Sequence, residues 1–202
     1  EIEEHQMPLP AIKFKHMLSL TDNFGMIQFS RNVNPDKASG YTLDDNARAM
    51  LVCCMHFNLS GESSKLELID MYLNFTQYVQ NSDGRLYNFV DSGRKVNSEH
   101  WSDDPHGRAL WALGYLISSR GIPQVMKEKA ENIFLKALSQ TKLIMSPRAA
   151  AFCIIGLYYY NKSRPSANNL SLIRELAGKL VSVYKSHSSR NWRWFEARIT
   201  YS

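Results

Sequence analysis

The chain has 202 residues, of which 44% are hydrophobic and 21% are charged, a balance typical of a globular protein rather than a disordered one. No apolar run reaches the roughly 20 residues that a membrane-spanning helix needs, and no secretory leader is visible, so we expect a cytoplasmic protein without a membrane partner. Its 24 basic residues outnumber its 19 acidic ones, but they are scattered and do not alternate with aromatic residues, which argues against a nucleic-acid groove.

The residue pattern divides the chain into a short N-terminal part and a long helical part. Residues 1–10 are polar and then interrupted by proline, as expected of a linker or tail. The stretch "AIKFKHMLSLT" has helical spacing, and "MIQFS" after it predicts a short strand. From Asp44 onward the periodicity predicts helices over residues 44–58, 64–80, 104–119, 123–140, 147–161 and 168–187, interrupted after the second by an excursion in which "SDGRLYNFVD" predicts a hairpin.

The predicted helices alternate between two types. The first, third and fifth are apolar nearly all round, whereas the second, fourth and sixth are amphipathic, which indicates buried inner helices paired with half-exposed outer ones. The inner helices open with "ARAM", "GRAL" and "PRAA", so Arg48, Arg108 and Arg148 occupy equivalent positions in successive hairpins. Such repeats build a solenoid or a closed (α/α) toroid, and the polar loops before the inner helices favour the toroid. The inner helices should then begin near Asp45, Asp104 and Pro147 and point at a shared cleft.

Carboxylates stand at these predicted helix starts. Asp44 and Asp45 precede the first inner helix, Asp103 and Asp104 precede the second, and Glu196 lies where a fourth would begin. Any single Asp at such a place is ordinarily a helix cap. The set is more informative, because acids and arginines accompanied by aromatic residues are typical of a sugar-binding pocket, and these aromatics are Trp101, Trp192, Trp194 and Tyr201. Two carboxyls facing each other across such a pocket can share glycosidic chemistry.

Other kinds of site find less support in the sequence. Glu99, His100, Asp103 and His106 match no zinc-ligand spacing. No glycine-rich phosphate-binding motif occurs, so we expect neither a metal nor a nucleotide cofactor. The three cysteines do not form a disulfide framework and are expected to be reduced and buried.

With these residues in place, the chain resembles the bacterial (α/α)-toroid, six-hairpin-glycosidase-like domains found behind family 4 glycosyltransferases. The resemblance runs from about residue 10 to the last residue and is carried by "LTDNFGMIQFS", "GYTLDDNARAM", "DDPHGRALWALG", "SPRAAAFCIIGL" and "WRWFEARITY". It implies a carbohydrate-active toroid with an attached glycosyltransferase as a partner. The positions that match the polar motifs of the family are Asp44, Asp45, Asn46, Arg48, Asp104, His106, Arg108, Arg148, Trp194, Glu196 and Tyr201.

The chain departs from the family pattern in two ways. After Glu196, where relatives tend to carry another acid, it has Ala197 and Arg198. The family pattern would also continue for roughly half a domain beyond Ser202, since twelve helices need well over 300 residues. The sequence therefore predicts an all-α (α/α)-toroid domain over residues 11–202, comprising about the N-terminal half of a six-hairpin barrel and truncated at its C-terminal end.

The acids can be given provisional roles. Asp44 is predicted to be the N-cap, which leaves Asp45 to face the cleft as a catalytic group. Its partner is predicted to be Glu196, because the neighbouring tryptophans and Phe195 favour a protonated carboxyl, with Asp104 as the second choice. The predicted substrate-binding residues are Asp44, Asn46, Arg48, Trp101, His106, Arg108, Arg148, Trp194 and Tyr201.

Three functions are consistent with this sequence. The first is a glycoside-hydrolase-like enzyme acting on an oligosaccharide or glycoside. The second is a non-catalytic carbohydrate-binding domain that serves a glycosyltransferase. The third is a helical-repeat interaction module with no role in sugar chemistry.

Overall fold

A computed structural model describes residues 11–99 and 101–196 of the chain. Its α-helices are α1 (Lys15–Ser19), α2 (Leu43–Ser60), α3 (Ser64–Tyr78), α4 (Asp103–Ser118), α5 (Gln124–Leu138), α6 (Pro147–Ser163) and α7 (Ala167–His187). Its strands form two antiparallel pairs, β1 (Ser30–Arg31) with β2 (Asn34–Pro35) and β3 (Tyr41–Thr42) with β4 (Phe89–Val90). The six long helices match the predicted ones to within a few residues. No helix in the described part of the chain is both long and apolar enough to cross a membrane.

The long helices form three hairpins in two layers. The inner layer consists of α2, α4 and α6, with α4 packed between the other two, and each inner helix also packs against the outer helix that follows it. This is the predicted alternation. The prediction that the inner helices are buried all round is confirmed for α4 but is wrong for parts of α2 and α6, where Val52, Leu59 and Tyr158 are 45%, 80% and 54% exposed.

Close approach between α4 and α6 depends on small residues. A Cβ atom added at Gly114 would lie 2.2 Å from the carbonyl oxygen of Gly156, and one added at Gly156 would lie 2.4 Å from that of Leu110. No larger side chain fits between the two backbones, because real Cβ contacts are never so short. This packing fixes α4 and α6 side by side in parallel, so that both begin at the same edge of the layer.

The loop before α2 is held on the core by short bridges. Ile27 pairs with Tyr41, and β3 then pairs with β4 from the loop that precedes α4. The predicted hairpin at residues 82–91 lies next to a bridge between Gln80 and Leu86 and also supplies the strand that supports the start of α2. The three cysteines are buried and free, as predicted.

Candidate functional site

The N-terminal ends of α2, α4 and α6 meet at one edge of the inner layer, which we call the rim and define by Asp44, Asp45, Arg48, Asp104, Arg108 and Arg148. Contacts across the helices show the convergence directly. Arg108 Nε lies 3.0 Å from Asp44 Oδ1, and Arg148 Nε lies 3.1 Å from Asp104 Oδ2. The shared face predicted from the repeated arginines is therefore confirmed.

The rim is a ladder of charges that repeats from one hairpin to the next. Arg108 and Arg148 each reach back to an aspartate of the preceding inner helix. Arg48, in the first hairpin, pairs instead with Asp44 and Asp45 of its own helix. The arginines thus position the acids, as one would expect if they hold a polar surface in a fixed geometry.

Asp44 occupies the most unusual electrostatic position on the rim. Its side chain is only 23% exposed, and its Oδ1 and Oδ2 lie 3.0 Å from Arg108 and 3.1 Å from Arg48. Burial raises the pKa of Asp44 above its ordinary value. The two arginines oppose this shift in the pKa, while the charges of Asp45 and Asp104 add to it. Asp44 is therefore a carboxyl that holds its proton more readily than an exposed aspartate.

The prediction that Asp44 is the N-cap of α2 is wrong. The N-cap is Thr42, whose Oγ1 accepts a hydrogen bond from the backbone N–H of Asp45 at 3.2 Å. Thr42 Oγ1 also donates to Asp45 Oδ2 at 2.6 Å, and Arg48 donates to Asp45 Oδ1. Both carboxylate oxygens of Asp45 are thus engaged at the start of the helix. Its catalytic role stays a prediction.

Asp104 and Asp103 fix the start of α4 against the start of α6. Ser146, the N-cap of α6, donates from its Oγ to Asp104 Oδ1 at 2.6 Å. Asp103 Oδ2 accepts from the backbone N–H groups of Met145 and Ser146, both at 2.7 Å. These contacts hold the second pair of acids in place and join two hairpins at the rim.

Two residues predicted to bind substrate are fully buried. Asn46 accepts from the backbone N–H of Met26 at 2.8 Å and donates to the carbonyl of Thr42 at 2.7 Å, so it ties the preceding loop to α2. His106 contacts the carbonyl of Ala137 through Nε2 at 3.1 Å. Neither side chain has exposed surface, and the contacts of both support the fold. Their role in substrate binding stays a prediction.

The aromatic residues are divided between two places. Trp101 packs edge-on against the buried His106, with ring centroids 5.4 Å apart. Trp194 and Glu196 line a small, mainly apolar cavity together with Arg148, so these three predicted site residues share one surface. Tyr201, His100 and the predicted tail at residues 1–10 lie outside the described residues.

Sequence reasoning missed two residues that shape the rim. Thr42 is detectable in principle, because a threonine three residues before an acid at a helix start is a capping-box signal. Asn88, whose Oδ1 accepts from the backbone N–H of Asp44 at 3.1 Å, carries no such signal. Its contact depends on the pairing of β3 with β4, which brings distant parts of the chain together.

The described part of the chain contains no cluster of side chains that could bind a metal ion. Among residues 11–99 and 101–196, no three His, Cys, Asp or Glu side chains come together as a metal site. The acids of the rim face arginines, which occupy the positions where a cation would otherwise be attracted.

The fold of the chain is similar to that of a solved structure, although comparison of the sequence with known families and curated proteins finds no match. No protein-family model matches the chain, and no curated protein matches it. The structure is similar to the crystal structure of a sugar epimerase from a ruminal bacterium, with a TM-score of 0.67 at 15% sequence identity. The match covers 82% of this chain and 50% of the other, so the chain spans about half the length of that structure. The likeness and the observed hairpins confirm the predicted all-α, toroid-like fold class.

Proposed function

We propose that the rim is a carbohydrate-processing site in which Asp44 transfers a proton. The observation that carries this proposal is the position of Asp44, half-buried between Arg48 and Arg108, with burial raising its pKa. A general acid or base must exchange its proton near the working pH, and a raised aspartate pKa moves the group in that direction. The similarity in fold to a sugar epimerase supports a sugar as the substrate class.

The neighbour that best complements Asp44 is Asp104. The two carboxyls are close enough for the charge of Asp104 to raise the pKa of Asp44. Asp104 accepts a hydrogen bond from Ser146 and pairs with Arg148, contacts that hold its carboxyl in a fixed position. A half-buried acid with a raised pKa beside a second acid in a fixed position is a pair of carboxyls that acid–base chemistry on a sugar can use.

Two reaction types need this chemistry. A glycosidase protonates the departing sugar oxygen while a second carboxyl acts as base or nucleophile. An epimerase removes a proton from a sugar carbon and returns one to the opposite face. In either case the guanidinium groups of Arg48 and Arg108 supply donors for sugar hydroxyls. The glycosidase pair predicted from the sequence, Asp45 with Glu196, remains a second arrangement for the hydrolytic reaction.

A second candidate is a non-catalytic carbohydrate-binding domain that serves an attached glycosyltransferase. Its support comes from the other three acids of this region, since Asp45, Asp103 and Asp104 all accept hydrogen bonds from groups fixed in the fold. Carboxylates held in this way accept hydrogen bonds from sugar hydroxyls without transferring protons. In that case Asp44 would bind the sugar rather than react with it.

The two candidates are separated by turnover. The complete protein is incubated with oligosaccharides of mannose, glucose and galactose, and reducing ends and new sugar isomers are measured by NMR. The carbohydrate-processing proposal expects turnover that Asp44→Asn lowers by roughly a hundredfold or more. Glu128→Gln, which removes an exposed acid on α5, is the matched control and should have no effect.

Each outcome of this experiment assigns a role. Full turnover by Asp44→Asn would rule out proton transfer by Asp44, and loss in Asp45→Asn and Glu196→Gln would move the chemistry to the pair predicted from the sequence. Saturable sugar binding without turnover would establish the binding domain. Neither binding nor turnover with any of these sugars would leave the interaction module as the function.

A further inference from the structure

A second cavity lies at the opposite ends of the inner helices, where α2, α4 and α6 finish. Its volume is about 720 Å³, and its walls come from all three helices and from the turn after α4. The rim lies at the first residues of these helices, and α4 alone, with 16 residues, is about 24 Å long at 1.5 Å per residue. The cavity, which we call the lower cavity, is therefore separate from the rim.

Ordered aromatic and polar groups line the lower cavity. The rings of Tyr115 and Tyr159 pack edge to face with centroids 4.8 Å apart, which fixes their orientation. Asn58 Nδ2 donates to Tyr115 Oη at 3.3 Å and to Ser119 Oγ at 3.0 Å. Within the described residues the Tyr115 hydroxyl has an incoming hydrogen bond but no acceptor, so its proton is directed to a ligand or solvent.

The charge of the lower cavity is positive. Arg120 and Lys162 both line it, and among residues 11–99 and 101–196 no Asp or Glu does. Neither cation forms an ion pair with any residue of the described part of the chain. Lys162 Nζ also lies 5.6 Å from the centroid of the exposed Tyr158 ring. At the rim, by contrast, every arginine of the ladder faces an aspartate.

Cations near helix C-termini also have a structural explanation, since they offset the negative end of the helix dipole. At two of these helix ends one carbonyl of the last turn already accepts a backbone hydrogen bond. Gly61 N–H donates to the carbonyl of Phe57 at 2.8 Å, and Arg164 N–H donates to that of Tyr160, also at 2.8 Å. Such a dipole interaction involves no carboxylate, and Arg120 and Lys162 both line the cavity without an acidic partner in the described part of the chain.

We propose that the lower cavity binds a phosphorylated sugar. Arg120 and Lys162 bind the phosphate, the rings of Tyr115 and Tyr159 pack on the apolar face of the sugar, and Asn58 hydrogen-bonds its hydroxyls. Two cations without an opposing carboxylate select an anion, and aromatic rings beside amide and hydroxyl groups select a sugar.

Binding is tested by titration calorimetry of the purified chain with glucose 1-phosphate, inorganic phosphate, glucose and adenosine monophosphate. The proposal expects glucose 1-phosphate to bind more tightly than the other three. The double variant Arg120→Gln/Lys162→Gln should weaken that binding at least tenfold. The matched control, Lys136→Gln/Lys142→Gln, removes the same charge from exposed positions on α5 and the turn after it and should leave the affinity unchanged.

The proposal would be overturned if glucose 1-phosphate did not bind, or if the double variant bound it as tightly as the wild type. An equal loss of affinity in the control variant would also overturn it, because that result would indicate non-specific charge attraction. Inorganic phosphate or adenosine monophosphate binding as tightly would exclude a sugar site. The rim and the lower cavity are tested separately. Asp44→Asn should leave the affinity for glucose 1-phosphate unchanged, and Arg120→Gln/Lys162→Gln should leave any sugar turnover at the rim unchanged. Failure at one site therefore does not imply failure at the other.

Discussion

His106 provides the sharpest test of the packing beneath the rim. Its ring is fully buried between α4 and α5, and burial lowers its pKa from 6.5 to about 4. Between these two pKa values the imidazole of His106 binds a proton in the unfolded chain but not in the folded protein. The contribution of neutral His106 to the free energy of unfolding is therefore complete above pH 6.5 and is lost as the pH falls toward 4. The difference of about 2.5 between the pKa of the unfolded and folded states lowers the free energy of unfolding by about 3.4 kcal/mol at pH values below both pKa values. At pH 5 the loss is about 2 kcal/mol.

The perturbation is His106→Gln, which removes the titrating ring and keeps a donor for the carbonyl of Ala137. The free energy of unfolding is measured by urea denaturation at several values between pH 7.5 and pH 5. The wild type should lose about 2 kcal/mol more than the variant over this interval. A constant offset between the two proteins does not matter, because the readout is the change with pH.

His16→Gln is the matched control, since His16 is exposed on α1 and its replacement should leave the pH dependence of the wild type unchanged. Parallel curves for the wild type and His106→Gln, within about 0.5 kcal/mol, would refute the reasoning. They would mean that His106 takes up its proton equally in the folded and unfolded states, and that the start of α4 is open to water.

Three further predictions concern packing, capping and the rim. Gly156→Ala places a methyl group 2.4 Å from the carbonyl oxygen of Leu110 and should lower the free energy of unfolding, measured by urea denaturation, by roughly 1 to 3 kcal/mol. Gly178→Ala is the control, because Gly178 has open space around it, and it should raise the free energy of unfolding by up to about 1 kcal/mol. Thr42→Ala removes the N-cap of α2 and should cost about 1 kcal/mol, and Thr42→Ser should recover most of it. Arg108→Leu should weaken sugar binding, measured by calorimetry, more than it lowers stability, and equal losses would make Arg108 structural.

The elements that could be predicted are those coded by local patterns. Apolar periodicity placed the six long helices, and the repeated arginines placed the starts of the inner helices at one face. Those signals are local, because each helix carries its own period and each hairpin repeats the same start. The bridges that hold residues 21–42 on the core could not be predicted, since they pair segments that are far apart in sequence, such as β3 with β4.

The burial of polar residues was the other limit of prediction. The sequence predicts substrate contacts for Asn46 and His106 but carries no sign that the fold buries both side chains. Asn46 is stable there because backbone groups satisfy its amide. His106 is stable there because it stays neutral at ordinary pH. Neither condition is visible in a local pattern, since the partners come from the loop before α2 and from α5.

The exchange of positions between Asp44 and Asp45 has a simple geometric origin. Adjacent residues on a helix differ in direction by about 100°, so the face that an acid presents depends on where the helix begins. With Thr42 as the N-cap, Asp45 lies at the third helical position and accepts a hydrogen bond from the Thr42 hydroxyl. Asp44, at the second position, pairs with Arg108 of the next inner helix. A cap two residues earlier than predicted therefore reverses which of the two acids pairs with the next inner helix. The same reasoning applies to α4, where Ser102 is the N-cap and Asp104, at the second helical position, is the acid that turns toward Arg148 of the neighbouring helix.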